Sequence, residues 1–142
     1  MRLCSVIMLA AFALVCGCNS ISRKPDAAWL DDFDHANAVV VSRKGHPSVT
    51  ITNSEALHRL REIYATSSWK PYIGTIPADI GQRTIAIAYE DEVLCRFTTS
   101  LGRFWEYRSY DEMRTTELDG ADSRWIESLF DQIPDTQEQT EE

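Results

Sequence analysis

The sequence predicts an α+β domain, in which an antiparallel sheet of about five strands carries helices packed on one face. Two patterns lead to this prediction. Residues 83–110 contain three runs of alternating or aromatic residues separated by tight turns, which is typical of a meander of strands. Residues 55–66 and 123–133 place apolar side chains at helical spacing, so each predicts a helix with one apolar face. The predicted order is strand, strand, helix, strand, strand, strand, helix.

The segment that leads into the domain, residues 29–35, contains three aspartates and His35. Asp and His are common metal ligands, but the spacing lacks the glycine and the distal glutamate of a calcium loop. Trp29, Leu30 and Phe33 would share one face of a short helix, which favours an amphipathic helix with its acids in water. We therefore expect neither a metal nor another cofactor.

The first two strands are predicted from β-branched residues at 38–42 and 49–52, with a turn at 43–47 between them. Thr52 and Glu55 have the spacing of a capping box, which predicts the start of the next helix. The last helix is expected to be capped by Asp122 or Ser123 and to be stopped by Pro134. Residues 135–142 are acidic and polar, and they predict a disordered tail.

A long connection, residues 69–82, separates the first helix of the core from the meander. It contains two prolines and two glycines, which break regular elements, and loops of this length are often functional or packed by their own side chains. Its apolar side chains have two interpretations. Trp69, Tyr72, Ile73 and Ile76 either close over the core or form a surface for a partner.

The meander has two faces of different character. Val93, Cys95 and Phe97 alternate along their strand and are expected to share the inward face, so Cys95 is expected to be a buried thiol rather than a nucleophile. The second face of residues 83–89 carries Thr84, Ala86 and Ala88, whereas an open face usually carries longer polar side chains. These small residues predict that the strand is central and that its second face is partly covered.

The N-terminus has the layout of an export signal: a positive start at Arg2, an apolar run over residues 3–15, then small residues. Val15-Cys16-Gly17-Cys18 resembles the lipobox of bacterial lipoproteins. The resemblance covers only these first 18 residues. It implies cleavage after Gly17 and acylation of Cys18, and so a palmitate-bearing protein of the periplasm or cell exterior. The alternative is a plain secretory signal cut after Ser20.

These features divide the chain into a signal peptide (1–17), a membrane tether (18–28), one domain (29–134) and an acidic tail (135–142). Residues 18–134 hold 18 acidic and 13 basic residues. This surface lacks the basic patch that nucleic acid requires, so we expect no nucleic-acid partner. After processing, only Cys95 would remain unmodified, and the domain would have no internal disulfide.

No catalytic motif occurs in the sequence, and the mature domain resembles no family known to us. The first hypothesis is therefore a non-enzymatic binding or structural module, with an envelope protein or a glycan as its partner. Its candidate contact residues are Trp69, Tyr72, Trp105 and Tyr107, because aromatic side chains often anchor interfaces.

Two alternatives remain open. The first is a hydrolase of envelope polymers, which would use carboxylates such as Asp31, Asp34, Glu90 or Glu106, two of which would have to share a cleft. The second is a hydrolase inhibitor that presents the loop at residues 69–82.

Replacing Cys18 with Ser should release the protein from membranes, because the acylated side chain would be lost. Cell fractionation followed by immunoblotting measures this. Cys16→Ser is the matched control, since it alters the tolerant lipobox position. A Cys18→Ser protein that stays in the membrane pellet contradicts the anchor.

Overall fold

The structure, a computed structural model of the chain, describes residues 24–135. Within this range the chain forms three α-helices and one antiparallel sheet of seven strands. The helices are α1 (Ala27–His35), α2 (Ser54–Thr66) and α3 (Gly120–Phe130). The strands are β1 (Ala38–Arg43), β2 (Val49–Ile51), β3 (Lys70–Pro71), β4 (Arg83–Tyr89), β5 (Glu92–Ser100), β6 (Arg103–Glu106) and β7 (Arg114–Thr116). Their order across the sheet is β2-β1-β4-β5-β6-β7-β3.

The α+β class is confirmed, but the expected number of about five strands is wrong. The two additional strands, β3 and β7, are two and three residues long and pair with each other at one edge. The last strand of the meander ends at Glu106 instead of continuing to residue 110. Tyr107 still donates its N–H to the carbonyl of Arg96, and the chain then turns away at Arg108.

The core lies between the three helices and one face of the sheet. Val39 pairs with Ile87, which pairs with Cys95, so these side chains point to the same face. A cluster of aromatic rings fills the space beneath the helices: Trp29, Phe33, Tyr64, Trp69, Phe97 and Phe104. Most of these rings meet at tilted or edge-on angles, which aromatic pairs favour over a face-to-face sandwich.

Each helix begins at a polar cap, although two of the caps differ from those predicted. Asn53, rather than Thr52, accepts the N–H of Glu55 at the start of α2. Asp119, rather than Asp122 or Ser123, accepts the N–H groups of two residues in the first turn of α3. All of these residue types are good N-caps, so sequence alone leaves the choice among neighbours open.

The folded domain also begins earlier than residue 29. Asp26 caps α1 by accepting the N–H of Ala28, and Lys24 contacts Arg114 through its carbonyl.

The predicted signal peptide, Cys18 and most of the acidic tail lie outside the described residues. None of the helices within residues 24–135 is long and apolar enough to span a bilayer.

The second face of the sheet is covered in part by the loop between β3 and β4. The hydroxyl of Thr98 on β5 accepts the N–H of Gly81 and donates to the carbonyl of Arg83. Farther along the same face, Ala86 and Ala88 of β4 are only 5% and 2% exposed. The prediction of a central strand is confirmed, since β4 lies between β1 and β5.

Ala86→Lys should destabilise the fold by about 2 kcal/mol or more, because it forces an ammonium group into a nearly closed site. Val93→Lys is the matched control. The expectation that Val93 faces inward is wrong, because the β4–β5 register shifts between Ile87 and Ala88, so that Val93 pairs with Ala88 and is 44% exposed. Urea unfolding of both variants measures the difference. Equal stabilities would mean that the second face is open at Ala86.

Candidate functional site

The four aromatic residues proposed as partner contacts divide into two pairs. Trp69 and Trp105 are 0% and 1% exposed, so they belong to the interior and the expectation that they form a surface is corrected. The indole of Trp69 donates to the carbonyl of Tyr64, and that of Trp105 donates to the carbonyl of Ser100. The indole N–H of each ring therefore has a hydrogen-bond acceptor within the domain, as is usual for buried tryptophans.

Tyr72 and Tyr107 remain half-buried on the second face of the sheet. The ring of Tyr72 meets Trp105 edge-on, with centroids 4.7 Å apart. Tyr107 approaches Gly81 so closely that a Cβ at that position would lie 2.9 Å from its hydroxyl oxygen. Gly81 also has a φ of 78°, so both its conformation and its contact with Tyr107 require glycine.

The loop that carries Tyr72 is braced at both ends. At its start, Tyr72 donates its N–H to the carbonyl of Met113 and its hydroxyl to the carbonyl of Thr75. At its end, the hydroxyl of Ser100 donates to Asp79 and the N–H of Gly81 donates to Thr98. The loop is thus tied to the sheet rather than free in solution.

Ile73, which follows Tyr72 on the braced loop, is 90% exposed. It lines a cavity of about 410 Å³ at the β3–β7 edge of the sheet. The other lining residues are mixed in character, with Pro71 and Tyr72 apolar, Lys70, Arg103 and Glu117 charged, and Ser68, Thr115 and Thr116 polar. We call Tyr72, Ile73 and this cavity the Ile73 surface.

A buried charge network lies on the opposite face of the same sheet edge. Glu106 is 0% exposed, and its carboxylate accepts four hydrogen bonds. Oε1 accepts from the hydroxyl of Tyr64 and from Arg114 Nη2, each at 2.6 Å. Oε2 accepts from Arg114 Nε at 2.8 Å and from Arg108 Nε at 3.1 Å. We call Glu106, Arg108, Arg114 and Tyr64 the Glu106 network.

The Glu106 network also holds the start of the described chain. Arg108 donates to the carboxylate of Asp26 at 2.8 Å, and the Tyr64 hydroxyl accepts the N–H of Asp26. Burial acts to raise the pKa of Asp26, but the hydrogen bonds from Arg108 and Ala28 outweigh it, so the pKa is lowered. Burial, and then the bond to Glu106, raise the pKa of Tyr64, which keeps its hydroxyl protonated as a donor.

The carboxylates proposed for hydrolysis do not share a cleft, because Asp31, Asp34 and Glu90 lie on the surface and Glu106 is buried. Asp31 and Asp34 are 73% and 55% exposed on α1, and Asp34 is paired with Arg61. Glu90 lies exposed in the β4–β5 turn. Glu106 itself is enclosed by its four donors, so no substrate reaches it in this conformation. Nor does any group of three or more His, Cys, Asp and Glu among residues 24–135 have an arrangement suited to a metal ion.

Cys95 occupies the inward position expected for it. It is buried and unpaired within the described residues, and burial raises the pKa of its thiol. A protonated thiol surrounded by side chains is a poor nucleophile.

Two features of this edge, the exposure of Ile73 and the burial of Glu106, were not predicted from the sequence. The exposure of Ile73 has no sequence signal, because an isoleucine between tyrosine and glycine is equally typical of a buried loop. The burial of Glu106 did have a sequence signal. Glu106 lies two residues after Phe104 on β6, so the two side chains share the inward face of that strand. Comparison with protein-family models, curated proteins and solved structures finds no match to this chain, so the argument for function depends on the geometry.

Glu106→Gln should lower the free energy of unfolding by about 3 kcal/mol, because an amide nitrogen would face the guanidinium donors and leave their charge uncompensated. Tyr64→Phe should cost less, about 1–2 kcal/mol, because it removes hydrogen bonds but no charge. Urea unfolding at neutral pH measures both.

The matched control is Glu117→Gln, which removes the same charge from a surface pair with Arg103. Its effect should be below about 1 kcal/mol. If Glu106→Gln is as mild as this control, the network does not stabilise the domain.

Proposed function

We propose that this chain is a lipid-anchored protein of the bacterial envelope whose domain binds another envelope protein through the Ile73 surface. The anchor in this proposal is Cys18, which stands at the acylated position of a lipobox-like Val15-Cys16-Gly17-Cys18. The partner is inferred from the chemistry of the exposed loop.

The observation that carries the proposal is the 90% exposure of Ile73 on a braced loop. Fully burying an isoleucine side chain contributes about 1.5–3 kcal/mol. Because Ile73 is almost fully exposed in the free domain, nearly all of this free energy could be gained when a partner covers it. Because the loop is already tied to Met113, Ser100 and Thr98, binding would order little additional backbone. Preorganisation of this kind leaves more of the contact energy for affinity.

The surroundings of Ile73 favour a protein partner over a glycan. Glycan sites commonly present an open aromatic ring, whereas Tyr72 is packed edge-on against Trp105 and Tyr107 is packed against Gly81. An apolar residue beside a mixed polar cavity instead resembles the arrangement of an apolar centre with a polar rim.

A hydrolase inhibitor is the second candidate, and the bracing of the loop favours it. An inhibitory loop must resist rearrangement when it enters a cleft, and the loop from Tyr72 to Gln82 is fixed to the sheet near both ends. This candidate differs from the first only in the identity of the partner, which would be an envelope hydrolase.

Site-specific photocrosslinking tests the proposal in living cells with the full-length chain. A benzophenone amino acid replaces Ile73 and, in a separate strain, Leu101. Leu101 is the matched control because it is also an exposed aliphatic residue, at 75%, in the β5–β6 turn. Irradiation should give one defined adduct from position 73, and mass spectrometry identifies it.

Ile73→Asp should then abolish co-purification of the same partner, whereas Leu101→Asp should leave it unchanged. If the partner is a hydrolase, its activity on its own substrate in the presence of this domain distinguishes inhibition from simple binding. Equal adducts from both positions, or no adduct from position 73, would contradict the proposed surface.

A further inference from the structure

The two outer edges of the sheet differ in their protection. The β3 edge consists of Lys70 and Pro71, and lysine and proline are residues that discourage pairing with another chain. The β2 edge consists of Val49, Thr50 and Ile51, which include neither a charge nor a proline. Strand β2 pairs only with β1 among the described residues, so its outer backbone groups lack a strand partner there.

A groove lies directly beside the β2 edge, between α2 and α3. Its volume is about 700 Å³. Its apolar lining comes from β2, α2 and α3 through four side chains: Ile51, Ala56, Trp125 and Leu129. Ile51 and Trp125 are only partly buried, so both keep apolar surface that the domain itself does not cover.

The register of β2 relates the groove to the open edge. Ile51 pairs with Val39 and Val49 pairs with Val41, and all four side chains point to the helix-covered face. Residues opposite each other in a sheet share a face, and side chains alternate along a strand. A strand added outside β2 would therefore direct every second side chain into the groove.

The charged residues of the groove leave one acid uncompensated. Arg59 donates to Asp122 and lies 3.7 Å from Glu62, and Glu62 also lies 3.9 Å from His58. Glu55 is exposed and forms no ion pair within the described residues. A ligand that brings a positive charge to the groove would complement Glu55, while an acidic ligand would be repelled.

We propose that the β2 edge and the α2–α3 groove together bind an extended segment of a partner protein as an eighth strand. The bound segment would be apolar at alternate positions and would carry a basic residue near Glu55. Backbone hydrogen bonds to β2 would supply much of the affinity, and the groove would select the side chains, which is the division of roles in β-strand addition. This site is at the edge opposite the Ile73 surface and is independent of it.

Two pools of synthetic peptides test the proposal. The basic pool has the pattern Lys-Φ-Thr-Φ-Thr-Φ-Lys, where Φ is Val, Ile, Leu or Phe, and the acidic pool replaces both lysines with glutamate. Fluorescence polarisation with the full-length chain in detergent should show binding of the basic pool, weaker by at least about tenfold for the acidic pool. Hydrogen–deuterium exchange should slow in the segment that contains Val49–Ile51.

Backbone methylation distinguishes strand addition from a helix lying in the groove. In a strand, the N–H groups of every second residue face β2, so methylation of one alternating set should abolish binding and methylation of the other set should not. A helical peptide would lose binding with either set, because both sets of N–H groups are used within the helix.

Paired variants of the domain locate the site. Ser128→Phe should fill the groove and remove binding, while Ala121→Phe, also exposed on α3 but outside the groove lining, should not.

Glu55→Lys should reverse the preference so that the acidic pool binds more tightly. Glu92→Lys makes the same charge change at the exposed first residue of β5 and should leave the preference unaltered. Thermal unfolding verifies that each variant is folded.

The proposal is overturned if the basic pool does not bind at millimolar concentration, or if it slows exchange elsewhere and not in Val49–Ile51. It is also overturned if both methylated sets abolish binding, which would identify a helical ligand. Self-association of the chain, with exchange slowed at β2 in the absence of peptide, would assign the edge to a second copy instead.

Discussion

The domain depends on the carboxylate of Glu106, which is the one charged side chain that is fully buried within residues 24–135. A charge without access to water must find donors for both of its oxygens, and here four donors come from three parts of the chain. Tyr64 supplies one from the end of α2, and Arg114 supplies two from β7. Arg108 supplies the fourth from the segment after β6. The carboxylate thus joins the C-terminal part of α2 to β7 and to the segment that follows β6.

The same constraint supports the aromatic core. The guanidinium of Arg108 stacks over the ring of Trp29 at 4.1 Å, and Tyr64 lies within contact of Trp29, Phe33, Trp69 and Phe97. The network therefore forms one wall of the apolar cluster instead of a separate surface feature. With the helix-covered face filled in this way, the loop on the other face packs against a rigid support, and Ile73 projects from a fixed position.

The sequence predicted features that arise within a few residues and missed those that depend on distant contacts. The meander followed from alternation in residues 83–98 and from the turns at Glu90–Asp91 and Leu101–Gly102, where positive φ angles occur. Strands β3 and β7 are too short to show alternation, and they exist because they pair with each other across 43 or more residues. Trp69 and Trp105 were wrongly assigned to a contact surface, because a tryptophan in a loop or a strand is equally compatible with core and surface. Their burial depends on Phe104 and Tyr72, which pack against them from elsewhere in the fold.

The attachment of residues 24–26 to the sheet has a mechanical consequence. A force applied to the N-terminal end of the chain meets the bond from Arg114 to the carbonyl of Lys24 and the ion pair of Arg108 with Asp26 before it reaches α1. Both arginines are fixed by the carboxylate of Glu106, so the load passes into β6 and β7. Tension is thereby directed to the hydrogen-bonded sheet, and α1 is shielded from being peeled off the core one turn at a time.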